Sequence, residues 1–332
     1  MAALSVIAVG GTEAAKLNFS GRRDTGGFMD ILRTTGYHKR PPHIVAEHKS
    51  FFAKEGLEVR FDVATYAPDH NQGMAEGRWD LTLSSADTMI ARTTTDGVDY
   101  LLFMQAEEGL NASLIGRPGI GSLDDLRGKL LAGDPGDSNL DLIRMKILRT
   151  HQIRENDYRV EIIGASPQRL EAFLQRRVAA AMLTPPSTQK ALAAGGVLLA
   201  KAEDYVPNWP LTCGWALHSW LEGRRNVVVR FIRAWVSATD WLLQPENRAE
   251  TIRLIVEKER LDVPRAEEAY ARVVPKARIN PQAFRSVLEL RIEMGVYKPP
   301  FSSAERFYDA NYWCEATGLP PPAPAGMPRQ RG

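Results

Sequence analysis

Short segments typical of β-strands alternate with helical segments from residue 29 onward, and this alternation limits the possible folds more than any other feature. Residues 57–64 alternate apolar and polar side chains, as a half-buried strand does. Pro41 and Pro42 open a helix that we predict to run through Lys54, and Gly56 follows at a position where glycine often ends a helix. Because strands that alternate with helices are typical of doubly wound proteins, the sequence predicts α/β architecture.

Two segments rich in glycine, proline or tryptophan divide the chain, at residues 116–122 and 206–215. We interpret both as crossings between two lobes, and the chain beyond the second crossing is predicted to be helical. Prolines dominate the tail, which lacks any periodic pattern and is typical of disorder. The predicted units are a discontinuous lobe 1 at 29–115 plus 213–318, a lobe 2 at 116–212, and a disordered tail at 319–332.

Charge and composition exclude several classes of protein. The chain of 332 residues carries 42 Lys and Arg against 40 Asp and Glu, and a net charge of +2 does not favour a nucleic-acid partner. No apolar stretch reaches the ~18–20 residues of a membrane span, so we do not expect an integral membrane protein. Cys213 and Cys314 are too few for a zinc knuckle or a disulfide framework. No metal site and no cofactor are predicted.

His43, Glu47 and His48 resemble a metalloprotease motif but do not match its spacing. Residues five apart on a helix lie ~140° apart around its axis, so the two histidines cannot easily share one metal. We interpret both as histidines on a helix surface.

Residues 1–28 differ from the rest of the chain and leave the cellular compartment open. Residues 1–9 are apolar, but no basic residues precede them and they are short for a secretory signal. The segment is therefore either a weak signal, which would place the protein in the periplasm, or a loose extension of a cytoplasmic chain. The sequence start favours the cytoplasm slightly.

Two motifs in the first half resemble a known family. A helix predicted to end in "FF.KEGL.V" precedes a "G..D....S.AD" segment, and the matching residues are Phe51, Phe52, Lys54, Glu55, Gly56, Leu57, Gly77, Asp80, Ser85, Ala86 and Asp87. This order resembles lobe 1 of type II periplasmic binding proteins. More narrowly, it resembles the family that unites alkanesulfonate- and taurine-type transport receptors with thiamine-pyrimidine synthases. Residues 122–129 and 169–186 resemble the second lobe.

The resemblance implies two α/β lobes joined by two crossings, with a ligand cleft between them. Carboxyl ends of parallel strands and amino ends of helices face such a cleft, so it suits polar or anionic groups. Lobe 1 then contributes the loop after its first strand, with Tyr37, His38 and Lys39, together with the strand-to-helix turn that carries Ser84, Ser85 and Asp87. Alternatively, Ser85 and Asp87 only cap the helix and do not bind a ligand.

Lobe 2 contributes three further candidates for ligand binding. Ser138 and Asn139 begin a helix after an Asp-Pro-Gly turn, and Thr184 follows a buried strand. In the second crossing, Trp215 could form an aromatic wall against a planar ligand, or it could pack in the core. His38 and Cys213 are the weak candidates for a catalytic role, because desulfinase-type enzymes of this fold use a cysteine.

Two functions therefore remain open. The first is a substrate-binding protein of an ABC-type importer, which closes two lobes on a small organic ligand, anionic or heteroaromatic, and delivers it to a permease. The alternative is a cytoplasmic enzyme of the same fold, a lyase, decarboxylase or pyrimidine-related enzyme that acts on an aromatic or heterocyclic acid. The residues do not identify a catalytic constellation, and they do not favour one ligand.

Overall fold

A computed structural model describes residues 29–134 and 137–328. The predicted N-terminal extension, residues 1–28, lies outside the described residues. The strands that the structure describes are β1 (Asp30–Gly36), β2 (Leu57–Val63), β3 (Leu81–Ser84), β4 (Tyr100–Glu107), β5 (Ser113–Gly116), β6 (Leu130–Gly133), β7 (Arg159–Ile162), β8 (Ala180–Leu183), β9 (Val197–Lys201) and β10 (Thr212–Leu217).

The α-helices of the described residues lie between and after these strands. They are α1 (Pro41–His48), α2 (Phe51–Lys54), α3 (Ala67–Ala75), α4 (Ala86–Thr95), α5 (Asn139–Thr150), α6 (Ser166–Leu174), α7 (Ser187–Ala193), α8 (His218–Gly223), α9 (Arg225–Leu242), α10 (Arg248–Glu259), α11 (Val263–Ala271), α12 (Pro281–Glu293) and α13 (Asn311–Thr317). The predicted helical C-terminal part is therefore confirmed.

The strands form two separate five-stranded sheets. The first has the order β2-β1-β3-β10-β4, in which β1 runs parallel to β2 and β3. Strand β10 lies antiparallel between β3 and β4, although it comes last in the chain. We call this sheet, with the helices that pack on it, lobe 1.

The second sheet has the order β7-β6-β8-β5-β9, and we call it lobe 2 with α5, α6 and α7. Strand β6 runs parallel to β7 and β8, whereas β5 is antiparallel to β8 and β9. The chain changes sheet twice, between Glu107 and Ser113 and again between Lys201 and Thr212. Two lobes with two crossings confirm the predicted α/β architecture. The finer lobe boundaries at 116 and 213 stay predictions.

Two large groups of buried side chains stabilise the arrangement. One lies between the first sheet and helices α1 and α9, and includes Phe52, Phe231 and Trp235. The other is continuous from lobe 1 through α12 into lobe 2, so that Leu102, Phe284 and Leu131 belong to the same core. Burial of this apolar surface drives folding and also ties α12 to both sheets.

The structure corrects two helix predictions. The helix expected from Pro41 through Lys54 is interrupted because Ser50 adopts a left-handed backbone conformation with φ of 58°, which separates α1 from α2. The part predicted to be helical beyond the second crossing also contains a break, since Ala304–Phe307 forms only a short 3₁₀ turn before α13. Both errors concern short irregularities that an apolar periodicity does not reveal.

The chain beyond Gly318, which its prolines led us to expect to be disordered, has no helix or strand as far as Pro328. The backbone amides of Ala325 and Gly326 nevertheless donate hydrogen bonds to the Glu305 carboxylate at 2.7 and 3.0 Å. This described part of the tail therefore contacts the helical region.

Candidate ligand-binding cleft

The carboxyl ends of parallel strands in the two sheets carry most of the candidate residues. Strand β1 ends at Gly36 and β3 at Ser84 in lobe 1, whereas β6 ends at Gly133 and β8 at Leu183 in lobe 2. A Cβ atom at Gly36 would lie 2.7 Å from the carbonyl oxygen of Leu83, so glycine is needed where β1 and β3 approach the cleft. Helix α4, which follows β3, meets the turn after β6 through the ion pair of Arg92 with Asp137 at 3.1 Å.

Tyr37 forms an aromatic surface on the lobe 1 side. Its ring lies against His70 with a centroid distance of 5.5 Å, and His70 in turn contacts the rings of Trp79 and Trp215 at 6.1 and 6.2 Å. Burial and the Asp134 carboxylate of lobe 2 raise the pKa of Tyr37. A carboxylate of lobe 2 thus acts on this phenol of lobe 1.

His70 is held beneath Tyr37 by a chain of hydrogen bonds. The Thr82 hydroxyl donates to the carbonyl oxygen of Thr35 at 3.1 Å, and it lies 2.9 Å from Nε2 of His70. The Thr82 hydroxyl uses its one hydrogen in the bond to Thr35. Nε2 of His70 is therefore protonated and donates the hydrogen bond to the Thr82 oxygen. The imidazole orientation is thereby fixed, and so is the support of the Tyr37 ring.

His38 follows Tyr37 and is neutral at physiological pH. Its ring keeps an exposed surface, but enough protein surrounds it that burial lowers its pKa to about 4, and the Arg40 guanidinium acts in the same direction. A neutral imidazole can donate or accept a hydrogen bond, and it adds no charge to the cleft.

The cations of this loop are already paired within the protein. Nζ of Lys39 lies 2.7 Å from the Glu47 carboxylate, so this side chain is directed to α1. Arg40 pairs at 3.0 Å with Glu107, which is 1% exposed and also accepts a hydrogen bond from Thr212 Oγ1 at 2.6 Å. Glu107 ends β4 and Thr212 begins β10, so this contact joins the start of the first crossing to the end of the second.

The turn from β3 to α4 combines a cap with an ion pair. The Ser85 hydroxyl accepts a hydrogen bond from the Asp87 backbone amide at 3.2 Å, as an N-cap does. The Asp87 carboxylate pairs with Arg291 at 2.9 Å and is 3% exposed. Ser84 is also buried, opposite Cys213 in the neighbouring strand. Of the three candidates in this turn, the half-buried Ser85 is the one with surface toward solvent.

The corresponding turn of lobe 2 places Ser138 and Asn139 at the start of α5. The Ser138 hydroxyl accepts from the Asp141 backbone amide at 3.3 Å, so the expected cap is present, and both residues are half-buried. Asp134, just after β6, pairs at 3.0 Å with Arg169, whose side chain is 1% exposed. Asp134 therefore balances a buried cation.

Thr184 follows β8 and is tied to α6. Its backbone amide donates at 3.0 Å to the hydroxyl of Ser166, which is the first residue of α6 after the N-cap Ala165. The threonine remains half-buried at the edge of lobe 2.

Trp215 and Cys213 of β10 lie behind the cleft surface. Trp215 has no exposed area, and its ring contacts His70 and, at 4.8 Å, Tyr100. Cys213 is equally buried, and burial followed by the Glu107 charge raises the pKa of its thiol well above the usual value. A protonated, buried thiol is typical of a structural cysteine rather than a nucleophile.

The structure also reveals charged residues that the sequence analysis did not select. Arg291, Asp137 and Arg92 form a cluster with Asp87, and Glu107 anchors Arg40. One signal was present in the sequence. Arg291 follows Phe284, Val287 and Leu288 at helical spacing, so it interrupts the apolar face of α12.

His43 corrects the interpretation of surface histidines. It is completely buried among the rings of Phe52, Phe61 and Trp235, with Nε2 3.2 Å from Glu47. Within residues 29–134 and 137–328, no three His, Cys, Asp or Glu side chains are grouped as metal ligands. Among the described helices, none combines the length and the apolar character required to cross a membrane.

Sequence comparison decides the family. A family model described as NMT1/THI5 like matches residues 39–249, which is more than half of the chain. The chain belongs to the NMT1/THI5-like family. This confirms the resemblance seen in the first-half motifs. No curated protein matches the sequence.

Solved structures with the same fold include transport receptors and an enzyme. The periplasmic sulfonate-binding protein SsuA from Methylobacillus flagellatus KT shares 14% identity, with 88% of this chain and 94% of that chain covered at a TM-score of 0.68. The periplasmic nitrate-binding protein NrtA from Synechocystis PCC 6803 shares 14%, covering 88% and 89% at 0.65. The desulfurization enzyme DSZB shares 11%, covering 87% and 99% at 0.64. At these identities the likeness establishes the two-lobed fold.

Proposed function

We propose that the protein is a substrate-binding protein that closes its two lobes on a small organic ligand. The observation that carries the proposal is the pairing of unlike surfaces at the strand ends. Lobe 1 presents the ring of Tyr37 on a buried aromatic support, and lobe 2 has the half-buried hydroxyl residues Ser138 and Thr184 at its strand ends. A planar ligand could stack on the tyrosine while polar groups of lobe 2 bind its edge.

The charges around the cleft favour a heteroaromatic ligand over a strong anion. Lys39, Arg40 and Arg169 each pair with a carboxylate of the protein at 3.0 Å or less. His38 is neutral, because its pKa is lowered to about 4. A sulfonate would therefore have to compete with these carboxylates for a cation, whereas a neutral ring would not.

The partner and compartment that we infer follow from the same role. The neighbours from M. flagellatus and Synechocystis are named as periplasmic binding proteins, the former of a sulfonate ABC transporter. By analogy, this protein would deliver its ligand to an ABC permease from the periplasm. The slight preference for the cytoplasm, which came from the sequence start, is not supported by these neighbours. Cell fractionation with N-terminal sequencing of the purified protein tests the inference.

A thermal-shift screen with small sulfonates, carboxylates and pyrimidines tests the binding role. A ligand at a hundredfold excess over its Kd adds ~2.7 kcal/mol to the free energy of unfolding. We expect pyrimidines or related rings to raise the melting temperature and to be recovered chemically intact by mass spectrometry. Stabilisation by sulfonates alone would contradict the ligand class, and no stabilising compound in any class would contradict the binding role.

A pair of tyrosine variants locates the site. Tyr37→Ala should weaken binding of every ring-containing hit at least tenfold in calorimetric titration, because it removes the stacking surface. Tyr66→Ala is the matched control, since Tyr66 also lies in lobe 1 and its side chain is 65% exposed. Equal binding by both variants would place the ligand elsewhere.

An enzyme on the same fold remains the second candidate, and the neutral imidazole of His38 is the observation that favours it. At neutral pH this imidazole is unprotonated and can act as a base, but a pKa of about 4 makes it a weak one, because a general base works best with a pKa near the working pH. The buried, protonated Cys213 argues against a cysteine nucleophile. Chemical conversion of a hit by the protein, abolished in His38→Gln while its binding is retained, would establish the enzyme.

A further inference from the structure

A buried ionic cluster joins the two lobes beside the cleft. Arg291 of α12 donates from Nη1 to Asp87 at 2.9 Å and from Nη2 to the Asp137 carboxylate at 2.8 Å. Asp87 belongs to α4 in lobe 1, whereas Asp137 lies in the turn between β6 and α5 in lobe 2. Arg92, also of α4, pairs with the same Asp137 carboxylate at 3.1 Å. One carboxylate of lobe 2 is thus held by two arginines.

The geometry of the cluster depends on a guanidinium. Arg291 has no exposed surface, and its two terminal nitrogens bind two different carboxylates at once. Nη1 also donates to the backbone carbonyl oxygen of Asp137 at 3.2 Å, so the side chain holds the main chain of the turn as well. The planar fork of an arginine can bridge two acceptors in this way, and a lysine ammonium cannot reproduce it.

Helix α12 is placed to connect the lobes. It packs against α4 of lobe 1 and against α5 of lobe 2, and its apolar residues belong to the core that continues through both. A second ion pair, Lys146 with Glu293 at 2.7 Å, also joins α5 to α12, but both of its side chains are partly exposed. The buried cluster therefore links α12 to α4 and to the turn before α5, whereas this partly exposed pair links α12 to α5 itself.

Arg291 and the two carboxylates that it binds differ in their access to water. The side chains of Arg291 and Asp87 are 0% and 4% exposed, whereas that of Asp137 is 32% exposed. If the lobes separate, Asp137 can be hydrated while the buried Asp87–Arg291 pair stays intact, which avoids an unpaired buried charge. Asp137 also directly precedes Ser138, the capping residue at the cleft.

We propose that Arg291 is a positioning residue: it holds the Asp137–Ser138 turn of lobe 2 against α4 of lobe 1 and so sets the separation of the lobes before any ligand binds. This inference rests on the proposed two-lobed binding function for its biological meaning. Its test uses the protein without ligand, so that the two can fail separately. If no ligand is found, the positioning role of Arg291 can still be correct. If Arg291 does not set the lobe separation, the protein can still bind a ligand.

Distance measurement between spin labels tests the proposal. Labels on cysteines introduced at Arg60 of β2 and Lys190 of α7, both exposed, report the separation of the lobes. Cys314→Ser removes the partly exposed native thiol, and Cys213 is buried. Double electron–electron resonance is then recorded for the labelled parent protein and for its variants Asp137→Ala, Arg291→Met, Arg291→Lys and Lys146→Met. Their melting temperatures are measured as well.

We expect one narrow distance distribution for the parent and a second, shifted population for Asp137→Ala and Arg291→Met. Arg291→Lys should restore the parent distribution only in part. The matched control Lys146→Met removes an ion pair between α5 and α12 that lies outside the cluster, and it should leave the distribution unchanged. If Arg291→Met does not fold, Asp137→Ala decides the question, since Asp137 is partly exposed. A parent-like distribution in Asp137→Ala, even with a lowered melting temperature, or the same shift in Lys146→Met, overturns the proposal.

Discussion

The two sides of the cleft are built differently. On the lobe 1 side, Tyr37 rests on His70, which in turn contacts Trp215, so the surface has a second layer of buried rings behind it. On the lobe 2 side, Asp134 follows β6 and Ser138 precedes α5, and they are held by an ion pair and a cap. Lobe 1 thus offers an apolar, rigid surface, and lobe 2 offers polar groups with hydrogen-bond partners.

Because the two sides are built differently, we expect substitutions on each side to reduce stability for different reasons. Removal of a ring from lobe 1 leaves a cavity, and the cost grows with its volume. Removal of a polar group from lobe 2 instead leaves its partner unpaired, and the cost depends on how deeply that partner is buried. Stability measurements on matched variants of the two sides therefore test this difference.

The largest effect is expected for Trp215→Ala in lobe 1. Loss of this fully buried ring should lower the free energy of unfolding by ~3–5 kcal/mol, measured by urea denaturation. Trp220→Ala is the control, because Trp220 is partly exposed and should cost less than half as much. Equal costs for the two would mean that the aromatic support is not a distinct layer.

Asp134→Ala in lobe 2 should have the next largest effect. It leaves the Arg169 guanidinium, with a side chain 1% exposed, without its carboxylate, which should cost about 3 kcal/mol in the same measurement. Glu161→Ala breaks an exposed pair with Arg177 in the same lobe and should cost less than ~1 kcal/mol. A cost for Asp134→Ala as small as this control would show that Arg169 is solvated when unpaired.

The two caps should behave alike, although they belong to different lobes. Ser85→Ala and Ser138→Ala each remove one hydrogen bond to a helix amide and should cost ~1 kcal/mol. The double variant should show the sum of both costs, because the two hydroxyls share no partner. A large departure from additivity would mean that the turns interact directly across the cleft.

The smallest effect concerns the pH dependence contributed by His38. Its pKa of about 4 lies below the ordinary value of 6.5, so the unfolded chain binds a proton in this range and the folded chain does not. The contribution of His38 to the free energy of unfolding is present in full above pH 6.5 and is lost as the pH falls toward 4. Allowing for the exposed surface of the ring, we expect a loss of less than ~1 kcal/mol. His38→Gln should flatten the stability curve between these pH values, and an unchanged curve would place the titration elsewhere.

Local sequence was sufficient to predict much of the fold and part of the site. The alternation of strands and helices indicated the α/β architecture because periodicity reflects which faces are buried. Ser138 could be predicted as a cap since a capping serine bonds to an amide a few residues away. Tyr37 could be placed beside the cleft because it directly follows β1.

Contacts between distant residues could not be predicted in this way. Arg291 lies 204 residues from Asp87 and 154 from Asp137, so no local pattern connects them. Burial of His43 was missed because its aromatic surroundings come partly from Trp235 in α9. The pairing of Lys39 and Arg40 with carboxylates was likewise invisible, and it changes the inferred charge of the ligand.

The position of β10 has a consequence for synthesis of the chain on the ribosome. Thr212 of β10 bonds to Glu107 of β4, 105 residues earlier, and β10 separates β4 from β3 in the finished sheet. Lobe 1 therefore cannot complete its sheet until all of lobe 2 has been translated, whereas the strands of lobe 2 are contiguous in sequence. We expect lobe 2 to acquire protease resistance first, and β4 to be exposed to chaperones and to misfolding during that delay.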